Sequence, residues 1–505
     1  MERRTDGGGM IRMIGGEMPA FTEVRAPAGG ALYGYLADQL PAGADVLVAG
    51  PHAAGLVETL AARTRVTCLL RSQPEAIELD ARGLDVQCGT ISKLTDVERY
   101  DVVVALDGLD RLCSVEGPQY DWSETLQVLK RTLRPGGMLL LAVENELGVH
   151  RLVDPASPTA AQDDAAWRPL GEFDTKPGNP TRLAARLAAE GLAVDWLGAA
   201  WPLPEAPTLI ATPNALEDGP VDALAAVAAS AVSRAYEKKS VLSDPRRLAA
   251  AAVRGGLGAE LAAAWVVVAY RAPRPALVLN LPPALTFSGS IFEVGPDGEA
   301  GWTRRAVRGE APDGPIPAGR LLEELLLGAA LRHDLPTLRR LLTGWMATLP
   351  TWTADNVVVD HDRFARLDPA VPETEDALRR FGQILLGGVY PHPWPAATDL
   401  DTLTAILRGA AGLPAGTPVP APAGEPPAPD SRREHEEQLR ALHRRLADAT
   451  SQVQWYEAEL AKRDDQLRDA QIKIETFSGN LSYRVARLGL RAARRARTHL
   501  RKGNP

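Results

Sequence analysis

Residues 46–61, VLVAGPHAAGLVETLA, decide the fold because the spacing of their apolar side chains changes within a few positions. VLVAG is a short apolar run that ends in glycine, and the apolar residues of AAGLVETLA recur at helical spacing. A buried parallel strand that delivers the chain into a helix has this pattern. The segment therefore predicts a strand, a tight corner at Gly50 and a helix.

The same change of period recurs along the first half of the chain. Further strands are predicted at VTCLL (66–70), LDVQCG (84–89), YDVVVAL (100–106), GMLLLAV (137–143) and AAAWVVVAYRA (262–272). Strands that alternate with helices build a parallel, Rossmann-like doubly wound α/β sheet, which binds ligands beyond the strands' carboxyl ends at the switch point. We assign this domain to residues 31–273 and expect the Gly- and Pro-rich residues 1–30 to be disordered.

The pattern of apolar and turn residues changes after residue 275. Short strand candidates, ALVLNL (276–281), SGSIFEV (288–294) and GWTRRAV (301–307), precede helical patterns at 319–349 and 375–389. This order predicts a second, small α+β domain at residues 276–412. Residues 413–430 are nearly all Pro, Ala and Gly, which predicts an extended linker.

Residues 431–481 carry an apolar seam with a seven-residue repeat, broken only at Arg463. Such a repeat is typical of a coiled coil, so we expect a homo-oligomer. The alternative is a lone amphipathic helix that folds back on its own domain. The basic tail, residues 482–505, holds eight Arg and Lys and no acid. It could lie on an anionic membrane surface, remain a solvated end, or bind acidic polymer or RNA.

Composition limits the function classes. The chain has 505 residues, 24% of them charged, and a formal net charge of -8, which argues against a specific nucleic-acid partner. No apolar run is long enough to span a bilayer, and the N-terminus lacks the apolar region of a secretory signal. Cys68, Cys88 and Cys113 lack metal-site spacing and suit reduced thiols in a cytoplasmic protein.

Four stretches together resemble the class I S-adenosylmethionine-dependent methyltransferases. They are VLVAGPHAAGLVETLA (46–61), YDVVVALDGLDRL (100–112), LQVLKRTLRPGGMLLLAVEN (126–145) and LAVDWLGAAWPLPEAPTLI (192–210). The ENELG run at 144–148 and the PLPEAPTLI run at 202–210 resemble the subgroup found with bacterial surface-polysaccharide assembly. The resemblance covers about residues 31–273 and implies a fold that holds S-adenosylmethionine across the strand ends.

Carried over to this sequence, the resemblance gives five cofactor positions and no catalytic base. Gly50 would approach the methionine part of the cofactor, and Asp107 would lie at the mouth of the fourth strand. His52 and Ala54 replace glycines of the family pattern, and Arg71 follows Leu70, where the ribose-binding acid would stand. His52 and Arg71 either face a cofactor in an altered pose or are loop residues of a retired site.

A second constellation lies in DNVVVDHDRFARLDP (355–369). Asn356 and Asp368 are paired across a predicted hairpin and resemble the magnesium-holding half of a protein-kinase-like or aminoglycoside-phosphotransferase-like lobe. Thr351 stands where the catalytic Asp would be, so kinase activity is not expected. The alternative is an unrelated helical domain with a polar hairpin.

The order of these parts resembles the methyltransferase-kinase proteins that modify growing bacterial surface polysaccharides. One hypothesis is an enzyme that methylates a sugar or lipid-linked glycan. A second is a non-catalytic scaffold that oligomerises and docks glycosyltransferases, peripherally at the inner face of the cell membrane. A third is an adaptor that binds acidic polymer through its tail.

Overall fold

The computed structural model of the chain describes residues 11–154, 175–236, 241, 244–272, 280–297, 301–387, 390–414, 432–479 and 481–500. The chain divides into two compact units, residues 1–420 and 421–505. The predicted linker falls almost wholly outside the described residues, as do residues 1–10 and the last five residues of the basic tail, 501–505.

One large sheet dominates the first unit. Among the described residues it has 13 strands. Their bounds are Ile11–Gly15 (β1), Asp45–Ala49 (β2), Arg65–Leu70 (β3), Asp85–Gly89 (β4), Tyr100–Ala105 (β5), Leu133–Glu144 (β6), Leu192–Trp201 (β7), Leu209–Ala211 (β8), Ala264–Arg271 (β9), Ala284–Phe287 (β10), Ser290–Pro296 (β11), Trp302–Arg308 (β12) and Gly314–Pro315 (β13).

The strand order shows a doubly wound sheet with an antiparallel extension. The order is β1-β4-β3-β2-β5-β6-β9-β7-β8-β10-β11-β12-β13. The pairs from β1 to β6 are parallel, and those from β6 onward are antiparallel. Because β3 and β5 lie on opposite sides of β2, the winding reverses there. The switch point is therefore the carboxyl end of β2, as the sequence predicts.

Helices cover both faces of the parallel region. The helices of the first unit up to β9 are Ala31–Ala37 (α1), Ala54–Ala61 (α2), Gln73–Ala81 (α3), Trp122–Thr132 (α4), Val149–Val153 (α5), Pro180–Ala189 (α6), Pro213–Asp218 (α7), Val221–Ala235 (α8) and Pro245–Arg254 (α9). Val46 and Val48 of β2 join one buried cluster, with α1 to α3, and Leu47 joins the other, with α4 and α6. Because successive side chains of β2 are buried on opposite faces of the sheet, the strand is apolar at every one of these positions.

The N-terminal segment is a correction to the sequence-based expectation of disorder. Ile11–Gly15 pairs with β4 as a parallel strand. Residues 16–30, here called the strap, continue with buried Met18 and Ala28. The strap follows the loops at the carboxyl ends of the strands and hydrogen-bonds with their backbone, which composition alone does not reveal.

The boundary placed between residues 273 and 276 is also corrected. SGSIFEV and GWTRRAV form strands as expected, but they do not start a separate sheet. β10 pairs with β8, so the large sheet continues across the proposed boundary. An open strand edge is a template for further pairing, and β10 to β13 use that edge. Most of ALVLNL lies outside the described residues.

A mostly helical lobe completes the first unit. It holds a three-stranded sheet. Its elements are Arg320–Leu321 (β14), Leu322–Leu331 (α10), Leu335–Thr348 (α11), Val357–Asp360 (β15), Arg363–Arg366 (β16), Ala377–Gly387 (α12) and Leu400–Ala410 (α13). Trp345, Leu326 and Phe381 lie in its own buried cluster.

The second unit is helical where it is described. Its helices are Arg432–Gly479 (α14) and Leu481–Leu500 (α15). The predicted helix of the seam is therefore present, and its pairing with a second copy stays a prediction. In the described part of the chain, no helix is both long and apolar enough to cross a membrane.

Candidate functional site

The switch-point corner lies where β2 ends at Gly50. Gly50 has a φ of 88°, a conformation that side chains with a Cβ rarely adopt. A Cβ placed on Gly50 would meet Leu112 Cδ2 at 3.6 Å and Asp107 Oδ2 at 3.7 Å. A methyl group at this position would therefore be in ordinary van der Waals contact with the side chains of Leu112 and Asp107.

His52 bridges the ends of two neighbouring strands at this corner. The Leu106 N–H, just after β5, donates to His52 Nε2 over 3.1 Å. Nε2 is therefore the acceptor, and Nδ1 donates to the Gly50 carbonyl over 2.9 Å. Burial lowers the pKa of His52 to about 4, which keeps the ring neutral. The imidazole spans the opening between β2 and β5.

Arg71, at the end of β3, is paired with an acid from the strap. Its Nε lies 2.7 Å from Glu23 Oε1, and both side chains are only about 5% exposed or less. Its Nη1 donates to the Cys113 carbonyl over 2.7 Å, and its guanidinium lies over the Phe21 ring. Arg71 therefore has its donors directed at internal partners.

Asp107 is held by a second arginine. Its carboxylate accepts from Arg111, which also donates to the backbone carbonyls of Arg25 and Ala26 in the strap. Burial raises the pKa of Asp107 to about 6, against the opposing effect of Arg111. Arg111 was not singled out from the sequence, because residues 106–112 form turns rather than a helix and a four-residue spacing does not predict an ion pair there.

The loop between Gly50 and Ala54 is bound to the strap through its backbone. The Ala53 N–H donates to the Ala28 carbonyl over 2.8 Å, and the Ala28 N–H donates to the Pro51 carbonyl over 3.2 Å. Ala54 begins α2 and packs against the buried cluster on that face. Two backbone groups of this turn, the Ala53 N–H and the Pro51 carbonyl, are therefore engaged with residue 28.

Beside this corner, the described residues Arg25, Asp107 and Glu144, among others, line a cavity of about 20 Å³. That is about room for one water molecule. Pockets for small-molecule cofactors measure about 300–1,000 Å³. Among the described residues, the structure brings Gly50, His52, Ala54, Arg71 and Asp107 to one corner, where the side chains of His52, Arg71 and Asp107 are paired with other residues of the chain.

A charged cluster at the end of β6 adjoins the same cavity. Glu144 Oε1 lies 3.0 Å from His150 Nε2, and Glu144 Oε2 lies 2.8 Å from Arg25 Nη1. Burial favours the neutral acid, but His150, Arg25 and Arg151 together hold the pKa of Glu144 well below its ordinary value. His150 Nδ1 is buried without a hydrogen-bond partner among the described residues. No motif in the sequence singles out His150, six residues after Glu144.

In the second constellation, the Asn356 side chain hydrogen-bonds with the backbone of Asp368. Asn356 Nδ2 donates to the Asp368 carbonyl over 2.8 Å, and the Asp368 N–H donates to Asn356 Oδ1 over 2.8 Å. The Asp368 carboxylate accepts from Ser288 Oγ over 2.8 Å and from the Ala370 N–H. The two residues do meet across the hairpin. A magnesium ion held by this pair stays a prediction, and no group of three or more His, Cys, Asp or Glu in the described residues is placed to hold a metal.

A larger open cavity, of about 460 Å³, lies away from the switch point. Its walls include Arg254 and Arg320, which both pair with Glu324. Because the charges in its wall are already paired with each other, this cavity indicates no particular ligand.

No protein-family model matches the chain, and no curated protein is recognisably similar to it in sequence. Solved structures of several methyltransferases align with about half of it. A putative sarcosine dimethylglycine methyltransferase from Galdieria sulphuraria is 12% identical, with 48% of this chain and 83% of that chain covered and a TM-score of 0.25.

Two further structures give similar values. The 1,6-didemethyltoxoflavin-N1-methyltransferase of Burkholderia thailandensis, solved with S-adenosylhomocysteine, is 16% identical, with 47% and 76% covered and a TM-score of 0.24. A methyltransferase from Mesorhizobium loti is 15% identical, with 47% and 96% covered and a TM-score of 0.27. Because these TM-scores are low, the fold assignment rests on the strand order, and the named activities remain those of the other proteins.

Proposed function

We propose that this chain is a non-catalytic, methyltransferase-like scaffold in cell-surface polysaccharide assembly. The observation that carries the proposal is the filled corner at Gly50. His52, Arg71 and Arg111 occupy the opening between the strand ends, and each makes internal hydrogen bonds. A ligand entering there would have to displace the buried Arg71–Glu23 pair, and an uncompensated buried charge costs about 3–5 kcal/mol.

Two features of the second unit support a tethering role. The seam of α14 is exposed in the single chain, with Leu446 at 64% and Ile474 at 66%. Helix α15 places Val485 and Leu488 on one face, and its described arginines surround that face. We propose that α14 forms a homo-oligomer and that α15 holds it peripherally at the inner, anionic face of the membrane.

The glycan context of the proposal rests on the resemblance of residues 144–148 and 202–210 to the surface-polysaccharide subgroup. The partners proposed on that basis are glycosyltransferases or their glycan products, docked on the first unit in the cytoplasm. The kinase-like lobe would then serve as structure, with Asn356 acting as a clasp between the strand and the loop that follows.

A second candidate is a methyltransferase that acts on a sugar or lipid-linked glycan. The Glu144–His150–Arg25 cluster favours it, because these charged groups adjoin a cavity at the strand ends. Binding of S-adenosylmethionine would then require the strap to leave the corner. Titration calorimetry with S-adenosylmethionine separates the two candidates: absence of binding by the folded chain supports the scaffold, and micromolar binding supports the enzyme.

A further inference from the structure

The seam of α14 contains one charged residue among apolar ones. Leu446, Val453, Leu460, Leu467 and Ile474 occupy the first (a) position of successive heptads, and Ala449, Tyr456, Arg463 and Ala470 occupy the fourth (d) position. These five a-position side chains are each more than half exposed in the single chain. A second helix with the same seven-residue repeat could pack against this regular, exposed apolar seam and bury it.

Arg463 lies within a group of charges of both signs. On its own helix, Arg463 Nε lies 3.5 Å from Glu459 Oε1. Lys462 Nζ lies 4.0 Å from Glu459 Oε2. Asp464 follows Arg463 at the e position, at the edge of the seam, and is exposed. Each helix therefore carries a cation in the seam and an acid beside it at the edge.

We propose that two copies of the chain pair through α14 as a parallel, in-register coiled coil, and that Arg463 of each copy reaches Asp464 of the partner subunit. This inference rests on the proposed homo-oligomer and adds its strand number, direction and register. In a parallel pair, a d side chain enters a hole that the partner helix forms around its own d position, where the next residue, at e, flanks the seam. Arg463 and the opposing acid are then neighbours.

An antiparallel pair gives Arg463 a worse environment. With the two helices overlapping along most of their length, the seam positions that face Arg463 are Leu446 or Val453. A guanidinium opposite an aliphatic side chain loses hydration without a matching carboxylate at that layer. The parallel direction sets the two Arg463 side chains in the same layer, and by symmetry it supplies one Asp464 carboxylate to each of them, which offsets their repulsion.

Two strands accommodate an arginine better than three. In a two-stranded pair, the long stem of Arg463 can lie along the seam while its guanidinium stays at the wet edge. A polar residue at one seam position lowers stability but specifies register and strand number. The parallel direction also places both α15 helices at the same end of the pair. Both helices can then bind one membrane surface, which raises the overall avidity.

Cysteine cross-linking of the full-length chain tests the direction. The native Cys68, Cys88 and Cys113 are buried, so introduced thiols on α14 can react selectively. Under mild oxidation, Ala449→Cys and Ala470→Cys should each form a covalent dimer with themselves. Ser451→Cys, on the opposite side of the helix, is the matched control and should stay uncrosslinked.

The outcomes separate this inference from the proposed oligomer. A dimer formed only when Ala449→Cys is mixed with Leu460→Cys or Leu467→Cys would show antiparallel pairing and overturn the inference while keeping the oligomer. Sedimentation of the unmodified chain as a monomer would overturn both. Sedimentation as a trimer would contradict the proposal that the coiled coil has two strands.

A charge reversal tests the ion pair itself. Asp464→Lys should raise the dissociation constant of the dimer, because it sets a second cation beside Arg463. Asp469→Lys, at an outward-facing position, makes the same charge change and should leave the constant unchanged. The double variant Arg463→Glu with Asp464→Lys should recover pairing. Equal effects of Asp464→Lys and Asp469→Lys would overturn the proposed pair.

Discussion

Arg71 Nε donates to Glu23 Oε1 over 2.7 Å, and Arg71 Nη2 donates to Glu23 Oε2 over 3.1 Å. This two-pronged ion pair joins the end of β3 to the strap, although 48 residues separate the two in sequence. Glu23 Oε2 also lies 3.7 Å from Arg111 Nη1. A carboxylate near the end of this strand is therefore present, but it comes from the strap and neutralises the protein's own arginines.

Replacing Glu23 should destabilise the first unit strongly. Glu23→Gln leaves the buried guanidinium of Arg71 without its counter-charge, and breaking a buried pair costs about 3–5 kcal/mol. Chemical denaturation monitored by tryptophan fluorescence should show a lower free energy of unfolding. The control is Glu78→Gln, which breaks the exposed Arg82–Glu78 pair and should cost at most about 0.5 kcal/mol. Equal losses in the two variants would contradict the account of the strap.

His52 should make stability depend on pH. An unfolded histidine has a pKa of about 6.5, whereas burial lowers the pKa of His52 in the folded chain to about 4. The unfolded state therefore binds the proton first as pH falls. The contribution of His52 is complete above the unfolded pKa and is lost as pH falls from there to the folded pKa, at about 1.4 kcal/mol per pH unit.

The measurement is the difference in unfolding free energy between the chain and His52→Leu across that range. A difference is needed because Glu323, whose pKa burial raises to about 7, acts in the opposite direction. The chain should lose more stability on acidification than the variant does. An NMR titration of the His52 ring with a midpoint at the unperturbed value would show that the ring is not buried between β2 and β5.

Asn356 should stabilise the helical lobe without magnesium. Asn356→Ala removes both hydrogen bonds to the Asp368 backbone, and an unsatisfied buried group costs about 1–3 kcal/mol. The melting temperature should fall by the same amount with and without Mg²⁺ and ATP, and exposed Asn280→Ala should leave it unchanged. If Mg²⁺ with ATP raised the melting temperature and Asn356→Ala abolished that rise, the residue would be a metal ligand.

Much of the parallel sheet could be predicted from the sequence because its signal is local. The spacing of apolar residues changes from that of a strand to that of a helix at Gly50, between β2 and α2. This change can be recognised within a single segment. The position of the switch point followed from the alternation of strands and helices. The seam of α14 was equally local, since each heptad repeats the same pattern.

The contents of the corner could not be predicted because they depend on distant pairs. Arg71 meets Glu23, and Ala28 meets His52, only after the strap has crossed the strand ends. The strap itself is rich in Gly and Pro, a composition that also describes mobile termini. The missed continuation of the sheet has the same cause, since the pairing of β10 with β8 leaves no mark within either segment.

Helix α15 should bind anionic vesicles through its arginines. Changing Arg491, Arg494 and Arg495 to glutamine removes three basic residues worth about 1 kcal/mol each near an anionic surface. Co-sedimentation of the full-length chain with phosphatidylglycerol vesicles should fall sharply, whereas the same three positions changed to lysine should retain it. Unchanged binding of the glutamine variant would exclude this membrane contact.

We infer that the corner at Gly50 is closed to an adenosyl cofactor, and titration calorimetry of the full-length chain with S-adenosylmethionine tests this inference most directly. A cooperative thermal unfolding transition on the same sample establishes that the chain is folded. We expect no binding heat and no rise in melting temperature with S-adenosylmethionine or S-adenosylhomocysteine. Micromolar binding that is lost in Gly50→Leu would contradict it and would favour the enzyme.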